Sequence, residues 1–424
     1  MVALNPYRRL LRQARYTLVG GLPSDEDHNI LSWYLSTAFT GMVDGGILVF
    51  LPVFLARLGA SPALLGLYNS LPALLSILLL IPAGMLIERV TDQLSAMVRL
   101  GLLTRLAYLA IVVAPFFVRV PHLPLVIVGA WVLRTVPDAG AIPLWYAVSA
   151  RAVSPARRGH VNGTRWALMS LISALCQAAF GRGLDGAPFP LGYQAVFAVS
   201  FVASVAEMLA YARLRLPLLT AEEQPARAPL RERLQAYVQP LIEHGPFVRY
   251  LAGTIGYRLA LNMPPALMTL LWVRELRASD GLIGLRGMVG YVALVFGYLA
   301  WGRNANRLGH QRVLTFAALG LASYVMVSAL LPAAIWLLPA AVLWGLAAPG
   351  IDIGLFDLLL HACPGGKQAR FFSVGLVATN LAIFLGPLLG VGLANITSVR
   401  TALLVAGALQ VVATLGFSLL PRDV

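Results

Sequence analysis

The segment from Leu133 to Tyr146 combines charged side chains with an otherwise apolar sequence that is long enough to cross a bilayer. Arg134 and Asp138 lie four residues apart, a spacing at which an ion pair forms along one face of a helix. A charge near the bilayer centre costs about 2.5–3.5 kcal/mol on insertion scales, so it normally faces a partner or a watery cavity. We therefore expect either an internal structural pair or a pair that lines a cavity.

The composition is that of a polytopic membrane protein. Of 424 residues, 59% are hydrophobic and 12% are charged, and the mean hydropathy is +0.78. These values exclude an ordinary soluble protein and predict an all-α fold with about twelve membrane-spanning helices of ~20 residues each. The predicted helices cover residues 30–57, 62–87, 96–118, 123–150, 164–181, 191–213, 248–274, 281–302, 311–331, 334–362, 371–393 and 398–420.

Polar stretches divide these helices into two groups of six. Residues 1–28 carry Arg8, Arg9, Arg12 and Arg15 between apolar residues, a pattern that predicts either a surface amphipathic helix or a solvated basic tail. We expect a six-helix bundle at 29–213, a charged and proline-containing cytoplasmic linker at 214–247, and a second bundle at 248–424.

The distribution of basic residues predicts the topology. The net charge of +14 would suggest nucleic-acid binding in a soluble protein, but most Arg residues fall in the connections on one side of the predicted helices. The positive-inside rule then places both termini in the cytoplasm, in a protein of the inner membrane. We find no nucleophile–base constellation, no metal-ligand spacing and no cofactor motif, so we expect neither an enzyme nor a cofactor.

The two groups of helices are related in sequence. Residues Ala60 to Leu67 match residues Ala278 to Leu285 at an offset of 218 residues, and the same offset pairs Arg89 with Arg307. Internal repeats of six helices are typical of transporters whose substrate site lies near the midplane, at the interface between the repeats.

A turn motif strengthens this interpretation. Gly84, Glu88 and Arg89 stand between the second and third predicted helices, and Gly302, Asn306 and Arg307 stand at the equivalent place in the second repeat. The chain thereby resembles the major facilitator superfamily, whose signature in this turn is Gly-x-x-x-Asp-Arg-x-Gly followed by basic residues. The first copy departs from it at Thr91 and Asp92, and the second copy has Asn306 in place of the acid. The resemblance implies that Glu88 helps to latch the two bundles together on the cytoplasmic side, whereas a turn that only fixes topology is the alternative.

The resemblance also implies that the first, fourth, seventh and tenth helices line a central cavity. The membrane-embedded charged and amide residues fall mainly on those four, and Trp145 and Tyr146 add aromatic rings. Several of these residues adjoin expected helix breakers: Gly45 and Gly46, Pro137, Pro264 and Pro265, and Pro349 and Gly350. Four carboxylates against two guanidiniums predict an acidic cavity. The predicted substrate or proton site comprises Asp44, Arg134, Asp138, Trp145, Tyr146, Arg258, Asn262, Asp352 and Asp357.

Asp44 is the first candidate for a proton carrier, because it has no Arg or Lys within a helical turn and a desolvated carboxylate without a cationic partner binds protons more readily. Asp352 is the second candidate, Asp357 has His361 one turn away, and a sodium site formed by Asp44 and Asn262 is an alternative to the proton. We predict a monomeric, proton-coupled secondary transporter, in contact with membrane lipids, for a small organic solute. Efflux of a cationic or amphipathic compound is slightly favoured, although the two arginines could equally hold a carboxylate. A non-transporting assembly factor or receptor with the same fold is the competing hypothesis.

Overall fold

The computed structural model of the protein describes residues 25–87, 90–216, 239–242, 244–363 and 368–420, which form helices joined by short turns. It confirms the predicted all-α architecture. Six helices precede the linker and six follow it: α1 (Asp25–Arg57), α2 (Pro62–Ile87), α3 (Gln93–Phe117), α4 (Leu123–Ala152), α5 (Pro155–Gly186), α6 (Leu191–Tyr211), α7 (245–275), α8 (Asp280–Leu308), α9 (His310–Leu330), α10 (Leu337–Ala362), α11 (Gln368–Ile396) and α12 (Val399–Ala413).

Eleven of these helices are long and apolar enough to cross a membrane within the described ranges. The remaining one, α7, is divided at Met263 into Gly245–Asn262, Pro264–Leu270 and a π-helical turn, Leu271–Glu275. Pro264 and Pro265 account for the division, because proline removes a backbone donor and its ring clashes with the preceding turn. The fifth helix begins at Pro155, earlier than the start predicted at residue 164.

Two helix pairs join the first half of the chain (25–216) to the second half (239–420): α5 with α8, and α2 with α11. Glycines permit the close approach of α5 and α8. A Cβ atom added to Gly284 would lie 2.1 Å from the carbonyl oxygen of Gln177, and one added to Gly181 would lie 2.5 Å from that of Asp280. The two halves therefore meet backbone to backbone along this pair, as small residues allow in membrane helices.

Polar bonds also connect the halves at the ends of α1 and α7. The Arg57 guanidinium lies 2.7 Å from Asp280 and also donates to the Ala278 carbonyl oxygen at 2.9 Å. Arg274 donates to the Ala60 carbonyl oxygen at 2.5 Å. We call this end of the molecule the Arg57 end; the two halves are closed against each other there.

The repeat offset is visible in the backbone. Gly59 and Arg277 are equivalent under the offset of 218 residues, and both adopt a positive φ, of 83° and 47°. Glycine adopts this conformation readily, whereas an L-residue with a side chain is strained in it. The turn geometry has thus been kept in both halves, although the second half has an arginine at the position.

The predicted amphipathic segment lies mainly outside the described residues, as do most of the linker and the motif residues Glu88 and Arg89. The two cysteines are free thiols, with Cys363 buried and Cys176 partly buried.

Candidate functional site

An irregular turn in the middle of α1 positions Asp44. Residues Asp44–Leu48 form a π-helical turn, in agreement with the helix break expected at Gly45 and Gly46. A Cβ atom on Gly45 would lie 2.6 Å from the Ser173 carbonyl oxygen, so the glycine lets α1 contact α5 directly. The irregular turn directs the backbone N–H of Ile47 to Ser200 Oγ at 3.1 Å, which satisfies it inside the apolar interior.

The Asp44 carboxylate accepts hydrogen bonds from both halves of the chain. Ser173 of α5 and Tyr291 of α8 each donate a hydroxyl to Asp44 Oδ2 at 2.5 Å. Neither partner could be predicted from local spacing, because they lie 129 and 247 residues away along the chain. Asp44 is consequently a half-buried carboxylate whose partners come from both sides of the interface between the halves.

Next to Asp44 lies a cavity of about 550 Å³, a volume within the range of small-molecule sites. It is lined by residues of α1, α3, α4, α5 and α6, all in the first half. Five of the nine predicted site residues line it: Asp44, Arg134, Asp138, Trp145 and Tyr146.

Arg134 and Asp138 form the predicted pair along α4, with a separation of 3.6 Å. Thr104 of α3 donates a further hydrogen bond to Asp138 at 2.8 Å, and Tyr108 accepts one from Arg134 at 3.1 Å. The Arg134 guanidinium also lies 4.1 Å from the centre of the Trp131 ring. The pair lines the cavity and is bound to α3 as well, so both alternatives expected from its spacing are realised together.

A second ion pair lines the cavity. Arg105 of α3 and Glu207 of α6 are 2.6 Å apart, and Thr40 donates to the other carboxylate oxygen at 3.0 Å. The pair ties α1, α3 and α6 together. Each carboxylate oxygen has its own donor, the arrangement that makes a buried ion pair tolerable.

Arg165 of α5 is the third guanidinium of the cavity, and sequence reasoning missed it. It lies 4.3 Å from the Trp33 ring centre and 5.3 Å from that of Trp145, and it donates to Thr37 Oγ1 at 2.9 Å. It was missed because it lies near the start of α5, in the basic sequence 157–165, which we expected to face the cytoplasm.

The charges that line this cavity correct the expectation of an acidic site. Three carboxylates, of Asp44, Asp138 and Glu207, face three guanidiniums, of Arg105, Arg134 and Arg165. Two of the predicted acids, Asp352 and Asp357, do not line this cavity, whereas Arg105 and Arg165, which were not among the predicted site residues, do. The cavity is formally neutral over the described residues.

Arg258 and Asn262 of α7 have partners within the second half. Arg258 donates to Thr379 at 2.8 Å and to Tyr250 at 2.9 Å, while Asn262 donates to the Arg258 carbonyl oxygen at 2.7 Å. Asn262 also packs on α11, where a Cβ atom on Gly386 would lie 2.7 Å from its own Cβ. Asp44 and Asn262, equivalent in the repeat, therefore have different surroundings.

The two predicted acids of α10 also have local partners. Asp352 is exposed and accepts a hydrogen bond from Tyr298 at 3.0 Å. The Asp357 carboxylate lies 3.0 Å from His310 Nδ1. His361, the partner expected from its spacing, contacts the backbone oxygen of Asp357 instead, at 2.8 Å, because residue i+4 of a helix is directed toward that carbonyl.

The structure describes the motif turns in part. Gly84 lies in the last turns of α2. Gly302 lies inside α8, and no described atom lies within 4 Å of a Cβ atom added there, so this glycine does not serve a close helix contact. Asn306 and Arg307 belong to the last turn of α8. The turn after α8 contains Gly309, which stands at the last glycine of the motif. Its φ of 84° lies in the left-handed region that favours glycine.

Asp92, one of the two residues at which the first copy departs from the motif, caps α3. Its carboxylate accepts the backbone N–H of Ser95 at 3.0 Å. Hydrogen bonds from the side chain and the backbone of Ser95 lower the pKa of Asp92 below its ordinary value. An acid thus stabilises the first turn of this helix where the motif has a basic residue.

A guanidinium lies on a group of aromatic rings in each half. In the first half, Arg134 faces Trp131 of α4 and Tyr108 of α3. In the second half, Arg286 of α8 lies 4.2 Å from the Trp272 ring centre and 6.0 Å from that of Trp344, and it donates to Tyr324 at 2.7 Å. We call these two groups the aromatic shelves.

Comparisons with known proteins agree with this architecture. A model of the Major Facilitator Superfamily matches residues 33–256 and 250–424. No curated protein sequence matches the chain significantly.

Among solved structures, a mutant of the nucleoside transporter NupG has a TM-score of 0.73 at 11% identity, over 92% of this chain and 99% of that one. A bacterial homologue of the iron transporter ferroportin, in an inward-facing state, has a TM-score of 0.67 at 16% identity, over 93% and 98% of the two chains. A bacterial homologue of the human lysosomal transporter Spinster, inward-facing and unoccupied, has a TM-score of 0.65 at 14% identity, over 94% and 97%. At these identities the likeness establishes the fold.

Proposed function

The chain belongs to the major facilitator superfamily, and on that premise we propose that it is a proton-coupled secondary transporter that moves a small organic solute across the inner membrane by alternating access. The solute would bind in the cavity of the first half. Asp44 would carry the proton.

The hydrogen bonding of Asp44 is the observation that carries this proposal. Its carboxylate lies within a membrane-spanning helix and accepts hydroxyl donors from both halves of the chain. A proton that arrives at Asp44 therefore acts where the two halves touch, and this is the position that coupling to a relative movement of the halves requires.

The chemistry of the carboxylate suggests the direction of this coupling. Ionised, it is an acceptor, and a hydrogen bond from Tyr291 to a charged oxygen is stronger than one between neutral groups. Protonated, it uses one oxygen as a donor, and the bond to Tyr291 weakens. Ionisation thus favours the present contact between α1 and α8, and protonation favours their separation.

The orientation of this conformation follows from the basic residues. The positive-inside rule assigns the Arg57 end to the outer side, so the state with that end closed would face the cytoplasm. Release of the proton from Asp44 into the cytoplasm would then stabilise the conformation from which the cavity empties. This order of events supports proton entry as the driving step.

The contacts and charges described above bear differently on three finer predictions. The hydrogen bond of Asp352 comes from Tyr298 of its own half, which favours Asp44 over Asp352 as the proton carrier. The separate hydrogen-bond partners of Asp44 and Asn262 weigh against a shared sodium site. Efflux stays a prediction, but the neutral charge balance of the cavity removes the preference for cationic solutes on which it rested.

Transport by purified protein in liposomes tests the proposal. The liposomes contain a pH-sensitive dye and are exposed in turn to organic anions, amines, sugars and nucleosides. We expect at least one class of solute to change the internal pH. In Asp44→Asn the pH change should disappear, while exchange of labelled solute across the membrane continues.

A matched substitution separates coupling from folding. Tyr298 lies on the same helix as Tyr291, but its hydroxyl donates to Asp352 and not to Asp44. Tyr298→Phe should therefore leave the pH change intact. If Asp44→Asn still concentrates solute against a pH gradient, Asp44 is not the proton carrier. A full panel without any response, together with a partner protein retained through purification, would favour the assembly-factor hypothesis.

A further inference from the structure

We infer that the transported solute is an aromatic organic anion, and that Arg165 binds its carboxylate, sulfonate or phosphate group between Trp33 and Trp145. The inference names the substrate class of the proposed transporter and so rests on that function. Its site is the part of the cavity wall formed by α1, α4 and α5.

Arg165 differs from the other two guanidiniums of the cavity in its partners. Arg134 has Asp138 and Arg105 has Glu207, each within ion-pair distance. Arg165 makes no ion pair within 4.0 Å among the described residues, and it donates to Thr37 and to Asn162 at 2.9 Å and 3.3 Å. It also interacts with the Tyr211 hydroxyl and with the Glu207 carboxylate, which is itself paired with Arg105. A charge held inside a membrane helix without a carboxylate of its own is costly and is typical of a functional position.

The aromatic contacts of Arg165 prepare it for a ligand. A guanidinium stacked on an indole ring uses its flat face for the contact, so a ligand can bind the N–H groups that Arg165 does not already donate to its protein partners. Trp145 is itself fixed by a hydrogen bond from its indole nitrogen to Tyr211 at 2.8 Å. Carboxylate, sulfonate and phosphate groups match the planar edge of arginine in two-point contacts.

The lining of the cavity adds the aromatic part of the inference. Tyr146 of α4 and Trp166 of α5 line it, with 66% and 65% of their surfaces accessible. Rings that remain uncovered in a cavity offer stacking surfaces to a planar ligand. The cavity of about 550 Å³ has room for one to two fused rings with a charged group.

Charge neutrality links this site to Asp44. The cavity lining has equal numbers of carboxylates and guanidiniums when Asp44 is ionised. One bound monoanion adds a negative charge, and one proton on Asp44 removes a negative charge. Anion and proton together leave the cavity neutral, which minimises the cost of carrying the charges through the membrane interior. Such joint binding favours uptake of the solute with protons over the efflux predicted from the sequence.

Equilibrium binding of three ligands that share one ring system tests the inference. The probes are radiolabelled 2-naphthoate, 2-naphthylmethanol and 2-naphthylmethylamine, which are anionic, neutral and cationic, added to the purified full-length protein. We expect the wild-type protein to bind 2-naphthoate at least tenfold more tightly than the other two. Arg165→Gln should weaken naphthoate binding at least tenfold, and Arg165→Lys should restore part of it.

Arg286→Gln is the matched control, because Arg286 also lies on indole rings in a membrane helix but belongs to the second half. It should leave naphthoate binding unchanged, and the thermal midpoints of all variants show whether each is folded. Equal affinity in wild type and Arg165→Gln, tighter binding of the amine, or no binding of any probe at millimolar concentration would each overturn the inference.

These outcomes are independent of the proton test. If naphthoate binding fails while Asp44→Asn abolishes a solute-driven pH change, the transporter is proton-coupled but takes another class of solute. If naphthoate binds through Arg165 and no solute moves protons, the anion site stands and the proposed coupling falls.

Discussion

Tyr291 donates its hydroxyl to Asp44 across 2.5 Å, and the two residues belong to different halves of the chain. The bond joins α1 and α8 in the interior of the membrane domain. It lies between the cavity on one side and the closed Arg57 end on the other, so its strength bears on both folding and conformational change.

Tyr291→Phe should lower the free energy of unfolding by about 1.5–3 kcal/mol at neutral pH, because a hydrogen bond to a charged group is lost. In an Asp44→Asn background the same substitution should cost less, since the acceptor is neutral. Denaturant titration of the four proteins gives the coupling energy. Tyr298 donates its hydroxyl to Asp352, so the effect of Tyr298→Phe on stability should be the same with and without Asp44→Asn. Strictly additive effects of Tyr291→Phe and Asp44→Asn would contradict the assignment.

The bond between Arg57 and Asp280 should hold the Arg57 end closed. Arg57→Gln removes a pair separated by 2.7 Å, with a further hydroxyl from Tyr193 on the same carboxylate oxygen at 2.6 Å. We expect spin labels at Ala187 and Ser279, on opposite sides of this interface, to move apart in the variant. Asp280→Asn should add little to Arg57→Gln, because both remove the same interaction.

Arg400→Gln supplies the control for this measurement. Arg400 pairs with Glu275 at 2.7 Å near the same end, but both residues belong to the second half. The label distance should therefore remain that of the wild type. A wild-type distance distribution in Arg57→Gln would show that the pair does not govern closure.

Gly45→Ala should destabilise the protein by about 1–3 kcal/mol, the usual cost of overpacking a close contact. The added methyl group would lie 2.6 Å from the Ser173 carbonyl oxygen and 2.7 Å from Cys176 Cβ. Gly183→Ala, in α5 with nothing within 4 Å, should be neutral or stabilising. Thermal midpoints of the two variants compare the sites directly, and equal midpoints would mean that α1 moves away from α5 at little cost.

Arg277→Gly should raise the free energy of unfolding by about 1 kcal/mol, because the left-handed conformation is strained for a residue with a side chain. The φ of 47° at Arg277 corresponds to the φ of 83° at Gly59 in the first half. The reverse change, Gly59→Ala, should destabilise by a similar amount. A stability that falls in Arg277→Gly would indicate that the arginine side chain makes a compensating interaction.

Hydropathy and local spacing were enough to predict the helices and one ion pair. The runs of apolar residues fixed the number of helices, and the spacing of four residues brought Arg134 and Asp138 together. Both signals are local, since each depends on neighbours within one or two helical turns. The same logic failed for Asp357, because a histidine from the preceding helix reached its carboxylate.

Partners that are distant in sequence could not be predicted in this way. Arg165 is placed by Trp33 and Trp145, which come from α1 and α4, and its own neighbours in sequence indicated a cytoplasmic basic turn. Pro349 was expected to break α10, yet Leu337–Ala362 is continuous. The indole of Trp301, on α8, donates to the Leu346 carbonyl oxygen at 2.8 Å, so this carbonyl near the proline has a hydrogen-bond donor.

The aromatic shelves have a consequence for how this chain is compared with its relatives. Arg286 corresponds to Tyr68 under the repeat offset, yet the guanidinium that occupies the first shelf is supplied by Arg134, from another helix. The two halves thus place a cation beside the same kind of rings from positions that are not equivalent in the repeat. Loss of an arginine from one aligned column can therefore be compensated by its gain in another, and homologues are best matched by the location of charge in space.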